Sequence, residues 1–145
     1  ASAPVVIQKA RNSSLASSLT LPNDKDGGIY ENDFTRGQSF YDLMIESNPQ
    51  DPNELFVGGI DIFKTTTAGE APNNTNPWDQ ISHWYGGFQE PYAHADQNGA
   101  LYLDDNPNIV LFGNDGGITY TDNGGQSIST RNYNFHTSQY YTVAV

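Results

Sequence analysis

The sequence predicts an all-β chain, because short apolar runs alternate with turn-forming residues and none of them has helical periodicity. Its 145 residues include 14 Gly, 8 Pro, 15 Asn and 12 Asp, which all favour turns. No stretch repeats its apolar residues near every 3.6 positions over the length of a helix. A chain of this length corresponds to one ordinary domain.

The predicted elements begin with residues 1–37, which are extended and loop-rich, with a short strand at 5–7 and a turn at 23–28. Six strands are predicted after residue 38, in two groups of three. They are 41–45, 54–57 and 61–66 in the first group and 100–103, 109–112 and 117–121 in the second. Residues 139–145 are similar in character to 39–45 and are predicted as a further strand.

The two groups of strands form a repeat. Gly69 and Gly125 lie 56 residues apart, and an alignment with this spacing matches residues 55–56 with residues 111–112 without a gap. Repeats of about 40–55 residues made of short strands are typical of β-propeller blades, and a ring needs about four to eight blades. We therefore expect a partial ring of about two to three blades, which the rest of a parent protein or other chains would complete. The predicted units are a segment at 1–37 that could belong to a preceding blade, a blade at 38–97, a second at 98–138, and the first strand of another at 139–145.

The clearest motif is TDNGGQSI at 121–128. It resembles the Asp-box, or BNR repeat, whose pattern is Ser/Thr-x-Asp-x-Gly-x-Thr-Trp. Thr121, Gly125 and Ser127 fit the pattern, while Asn123 stands at the Asp position and Ile128 at the Trp position. A side-chain acceptor at Asn123 can bind the N–H groups of its own turn, so a structural role is expected. A degenerate copy covers 65–69.

Further motifs extend this resemblance over 38–145. They are FYDL at 40–43, VGGIDIF at 57–63, ISHW at 81–84, YAHADQ at 92–97 and GNDGGI at 113–118. Together they are similar to the sortilin-like BNR propellers of large secreted proteins from Bacteroidetes-type bacteria, which often carry a type IX secretion sorting domain. The resemblance implies that the chain is a fragment of a secreted or cell-surface protein.

Charge and composition exclude several classes of partner. The net charge is −11 with only six Lys and Arg, so a nucleic-acid partner and docking on anionic lipid are not expected. No apolar run approaches the roughly 18 residues of a membrane span, so membrane insertion is not expected either. The absence of cysteine excludes disulfides and thiolate sites.

The segment 78–96 concentrates the candidate binding residues. Exposed aromatic faces beside carboxylates and amides can bind sugars. The candidate ligand-binding side chains are Trp78, Trp84, Tyr85 and Tyr92. The more ordinary interpretation, which we prefer from the sequence, assigns Trp84 and Phe88 to the blade core and the others to a packed loop.

The candidate catalytic residues are Asp61, His94 and Asp96. His94 and Asp96 are two positions apart and would share one face of an extended segment. They could bind a metal or form an Asp-oriented catalytic His, but we favour a buried hydrogen-bonded pair. No cofactor is expected. Calcium is a minority hypothesis at the acidic turns, whose carboxylates are those of Asp24, Asp26, Asp104 and Asp115.

Two functions follow from these observations. The first is a non-catalytic extracellular module that binds glycan or protein partners through its loops. The second is a fragment of a glycoside hydrolase, sialidase-like or xyloglucanase-like, with catalytic residues partly outside the chain. A sialidase would need three clamping arginines, and none of Arg11, Arg36 and Arg131 has the Arg-Ile-Pro context of that family. A xyloglucanase would need a pair of carboxylates across a cleft.

Overall fold

The computed structural model describes residues 20–29, 33–71, 73 and 75–134. The strands predicted at 5–7 and 139–145 lie outside these residues. Within the described part the chain is all-β, as predicted.

Eight strands form two four-stranded antiparallel sheets, and in each sheet every strand pairs with the next one along the chain. The first sheet contains β1 (Met44–Ser47), β2 (Leu55–Gly58), β3 (Ile62–Thr65) and β4 (Asp79–Gln80). The second contains β5 (Gln97–Tyr102), β6 (Val110–Asn114), β7 (Gly117–Thr121) and β8 (Ser129–Thr130). The six predicted strands are all present; the strand at 117–121 has the predicted bounds, the other five have shifted boundaries, and β4 and β8 complete the sheets.

The two sheets share one apolar core. Successive side chains on a strand point to opposite faces, so Phe56 of β2 enters this core while its neighbour Val57 does not. The Phe56 ring meets Phe112 of β6 edge-on with 5.3 Å between centroids, and it lies 6.0 Å from Tyr102. The buried members of this core are Met44, Phe56, Ile62, Ala93, Tyr102, Val110 and Phe112.

The opposite face of the first sheet is covered by residues that precede β1. Phe34 is fully buried and packs edge-on against Phe63 of β3, with 5.9 Å between ring centroids. Val57 and Trp78 complete the buried part of this second core. Phe34 and Leu21 therefore lie where a neighbouring sheet could pack on this face.

The structural repeat differs by one residue from the gapless alignment of the sequence. Leu55 pairs with Thr65 in the first sheet, and Val110 pairs with Thr121 in the second. Leu55 thus corresponds to Val110 and not to Leu111. The cause is loop length, because three residues connect β2 to β3 and only two connect β6 to β7. A shift of one residue moves a side chain to the other face of a strand.

The turns that follow β3 and β7 repeat the same geometry. The N–H of Ala68 donates to the carbonyl of Asn53 at 2.7 Å, and the N–H of Gly124 donates to the carbonyl of Asn108 at 3.0 Å. Residues 68–69 and 124–125 all have positive φ. Ala68 stands where the second unit has glycine, so the two turns share a backbone path despite different residues.

The turn at 121–128 is closed by its own side chains. The Thr121 hydroxyl accepts the N–H of Gly125 at 2.9 Å and donates to Asn123 Oδ1 at 3.0 Å. Asn123 Oδ1 also accepts the N–H of Ser127 at 2.9 Å. Ile128 packs against the core between the sheets. The Asn123 side chain thus accepts an N–H group of its own turn, as expected from the sequence.

Candidate functional site

A charged cluster joins the segment before β1 to the loop after β4. His83 is fully buried, and its Nε2 lies 2.8 Å from Asp26 Oδ1. The Arg36 guanidinium donates to Asp24 Oδ2 at 2.9 and 3.2 Å and also forms an ion pair with Asp26. We call Asp24, Asp26, Arg36 and His83 the Asp26 cluster. Its members are brought together only by the tertiary fold.

Aromatic rings surround the Asp26 cluster and reach the solvent. Phe88 stacks on His83, with 3.6 Å between centroids and an angle of 7° between the ring planes. Tyr85 meets Phe88 edge-on at 5.2 Å and Trp84 edge-on at 4.6 Å. Trp84, Tyr85 and Phe88 are 38%, 41% and 38% exposed. We call these three residues the aromatic platform.

The platform is anchored by hydrogen bonds to a single carboxylate. Trp84 Nε1 donates to Asp26 Oδ2 at 3.3 Å, and the Tyr85 hydroxyl donates to Asp26 Oδ1 at 3.2 Å. The Arg36 guanidinium carbon also lies 5.7 Å from the centroid of the Trp84 ring. The polar groups of two platform residues are thus used inside the protein, which restricts the orientations of their rings.

Hydrogen bonding keeps Asp26 ionised. Burial alone would raise the pKa of Asp26, but hydrogen bonds from His83, Arg36 and Trp84 outweigh it and lower the pKa from 3.8 to about 2. Burial lowers the pKa of His83, but the hydrogen bonds with Asp26 and with the carbonyl of Tyr85, together with the nearby carboxylate charges, outweigh it and raise the pKa above 6.5. The arrangement therefore favours a charged imidazolium beside a charged carboxylate.

Asp61, a candidate catalytic residue, is fully buried below this cluster. Gln80 Nε2 donates to its Oδ2 at 3.1 Å, and the Ser82 hydroxyl lies 3.4 Å from its Oδ1. Burial raises the pKa of Asp61, while the charge of His83 acts in the opposite direction. In this position Asp61 holds β4 and the following residues together and has no exposed surface for a substrate.

The four aromatic residues predicted to bind a ligand lie in three different environments. Trp84 and Tyr85 belong to the platform, and Tyr92 is 48% exposed at a backbone bridge with His83. The assignment of Trp78 was wrong, because its ring is buried at 7% exposure and its Nε1 donates to the carbonyl of Thr20 at 2.6 Å. The preferred interpretation of Trp84 and Phe88 as core was also wrong, since both are exposed.

His94 and Asp96 do not form the buried pair that we favoured. His94 is exposed, and its Nδ1 lies 3.2 Å from the carbonyl of Ala95. Asp96 is half-buried, with φ of 66°, and burial and the negative charge of Asp115 raise its pKa. In the described part of the chain no hydrogen bond joins His94 to Asp96. The prediction that His94 and Asp96 share one face requires an extended backbone, and the left-handed conformation of Asp96 interrupts it.

The predicted calcium residues do not share one place in the fold. Asp24 and Asp26 accept hydrogen bonds from Arg36, whereas Asp104 is exposed on the 3-10 turn Leu103–Asp105. Asp115 Oδ2 accepts the Tyr41 hydroxyl at 2.9 Å. Among the residues that the structure describes, no three His, Asp or Glu side chains are grouped as a metal site. Calcium at these turns stays a prediction.

Arg36 and His83 organise the site, although neither is among the site residues predicted from the sequence. His83 lies in the ISHW motif, and Arg36 is one of only six cations in a chain of net charge −11. A scarce cation in an acidic chain is a signal for a specific carboxylate partner. The sequence does not identify the partners, because Asp24 and Asp26 lie 12 and 10 positions before Arg36 in a loop-rich segment without predicted pairing. His83 lies in a separate predicted unit.

Comparison with family models, with curated proteins and with solved structures finds no match to this chain. The likeness to BNR propellers accordingly depends on the motifs quoted above. No helix in the described part of the chain has the length and apolar character needed to span a bilayer.

Proposed function

We propose that this chain is part of a non-catalytic extracellular β-propeller of the BNR type, and that its aromatic platform binds glycan. The observation that carries the proposal is a set of three partly exposed rings fixed on a buried charged cluster. Aromatic rings provide apolar contact area for the C–H faces of a sugar, and nearby carboxylates and amides provide hydrogen bonds for its hydroxyl groups.

Preorganisation supports a binding role for these rings. A side chain that is ordered only on binding loses rotamer entropy, which reduces affinity. Trp84 and Tyr85 are already held by Asp26, and Phe88 is already stacked on His83. A ligand that contacts the platform would therefore meet rings with little freedom left to lose.

The repeat of the sheets supports the propeller part of the proposal. In the first sheet, the face that carries Phe56 and Ile62 packs against the second sheet. The corresponding face of the second sheet carries Leu111 and Ile118, and its neighbour Leu101 is 57% exposed. A further sheet packed on that face would cover it as the second sheet covers the first. The secreted or cell-surface location rests on the family resemblance alone.

Glycan-array binding tests the proposal. We expect the protein to bind a defined group of glycans and Trp84→Ala to weaken binding by about tenfold or more, because a central aromatic contact is worth at least about 1.4 kcal/mol. Tyr133→Ala is the matched control, since Tyr133 is an exposed aromatic residue (84%) outside the platform. Absence of glycan binding, or equal binding by Trp84→Ala and the wild type, would refute the platform.

Measuring the release of saccharide from a bound glycan tests the hydrolase alternative. Release of saccharide from a bound glycan would replace the non-catalytic proposal with a glycoside hydrolase. Asp96→Asn and Asp61→Asn would then show which carboxylate takes part, and the fully buried Asp61 is the less accessible of the two. Binding without turnover supports the non-catalytic module.

A further inference from the structure

The carboxylate of Asp42 lies just before β1 and is buried. Asp42 is 0% exposed, and within the described part of the chain neither of its carboxylate oxygens has a hydrogen-bond partner. Gln97 Oε1 is likewise buried and unpartnered, although Gln97 Nε2 donates to the carbonyls of Ile60 and His94. Buried polar atoms in folded proteins nearly always have partners, so such atoms point to an ordered water, an ion or another ligand.

Hydrogen bonds bring three acidic segments together at this point. Tyr41, the neighbour of Asp42, donates its hydroxyl to Asp115. Asn98 Nδ2 donates to Asp115 Oδ1 at 3.0 Å and to the carbonyl of Asp96 at 3.0 Å. The residues that flank Asp42 and Asp96 are therefore both tied to the loop between β6 and β7.

The electrostatics of Asp42 agree with this convergence. Burial raises the pKa of Asp42, and the negative charges of Asp96 and Asp115 raise it further, to about 7. Burial and the charge of Asp115 also raise the pKa of Asp96. A cation would relieve the repulsion among these groups and give the Asp42 oxygens a partner.

We propose that Asp42 and Asp96 bind a calcium ion at this end of β1 and β5, with Asp115 as a nearby third negative charge. Calcium takes six to eight oxygen ligands, which include carbonyls and water as well as carboxylates. Two carboxylates therefore suffice as charged ligands, and the site does not need the group of three that the described residues lack. This site is separate from the aromatic platform and does not depend on glycan binding.

Thermal unfolding of the protein in calcium and in EDTA, at pH 8 and constant ionic strength, tests the site. At a calcium concentration about 100 times the dissociation constant we expect Tm to rise by about 5 °C or more. Asp42→Asn removes the ligand charge and should abolish the rise. Asp104→Asn changes an exposed aspartate on the 3-10 turn and should retain it.

Terbium luminescence gives a second measurement with a different readout. Terbium replaces calcium at oxygen sites, and Tyr41 next to Asp42 can transfer excitation energy to it. Asp96→Asn serves as the second variant if Asp42→Asn does not fold. The proposal is overturned if calcium leaves the wild-type Tm unchanged, or if the aspartate variants retain both the Tm rise and the terbium signal.

Discussion

Replacing Asp26 by Asn should destabilise the fold, because one carboxylate accepts from four different side chains. His83, Arg36, Trp84 and Tyr85 all contact Asp26. The Asn amide group has the same shape, but it offers one acceptor oxygen instead of two and carries no charge. Its NH₂ group would also face the donors of the cluster.

The pKa of Asp26 gives the scale of the effect. Lowering that pKa from 3.8 to about 2 corresponds to about 2 kcal/mol of interaction that favours the charged carboxylate. The side chain is only 8% exposed, so solvent screens this interaction little. Since the substitution also leaves donors unpaired, we expect the free energy of unfolding to fall by about 2–3 kcal/mol at pH 7.

Urea unfolding of Asp26→Asn and the wild type measures this change. Asp122→Asn is the matched control, because Asp122 is an exposed aspartate on the turn after β7. The folded-state pKa is depressed, so the contribution of Asp26 is present above pH 3.8 and is lost as the pH falls toward 2. The difference between wild type and variant should shrink over that window. A variant within about 0.5 kcal/mol of the control at pH 7 would refute the reasoning.

Two further predictions concern the turn and the pH dependence. Gly125→Ala should lower the free energy of unfolding by more than about 1 kcal/mol, because Gly125 has φ of 90° and an added Cβ would lie 3.0 Å from the Ile81 side chain. Gly27→Ala is the control, because a Cβ added at Gly27 would meet no atom within 4 Å. Equal urea midpoints for the two variants would contradict the prediction. In EDTA, the free energy of unfolding should fall as the pH rises from 6 to 8. Folding raises the pKa values of Asp42 and His83, so each group stabilises the folded state while it is protonated, and this stabilisation is lost as the proton leaves. Thermal unfolding at both pH values checks this, and a Tm that rises with pH would contradict it.

The local elements of the fold could be predicted because they depend on neighbouring residues. Strands β2 and β7 are apolar runs between turn residues, and the turn at 121–128 closes through contacts within eight positions. The register could not be predicted by matching the two units, since the β2–β3 loop is one residue longer than the β6–β7 loop. That difference makes Phe56 and Phe112 partners across the core instead of equivalent residues.

The candidate site could be predicted only in part, for a related reason. The aromatic residues of 84–88 are visible in the sequence, but their exposure depends on what lies beneath them. Asp26 and His83 are 57 positions apart and become neighbours only when the segments 20–29 and 33–37 pack on the first sheet. A motif search over short windows cannot find such a pair.

The position of the segment before β1 connects the fold to the site. Phe34 covers one face of the first sheet, and two positions later Arg36 reaches the carboxylates that hold the aromatic platform. The apolar contact of Phe34 with Phe63 therefore fixes the location of Arg36, and the cluster forms only when that face is covered. It follows that a substitution of Phe34 would disturb the platform at a distance, whereas an equally large change at Phe112, in the other core, would act first on the packing between the two sheets.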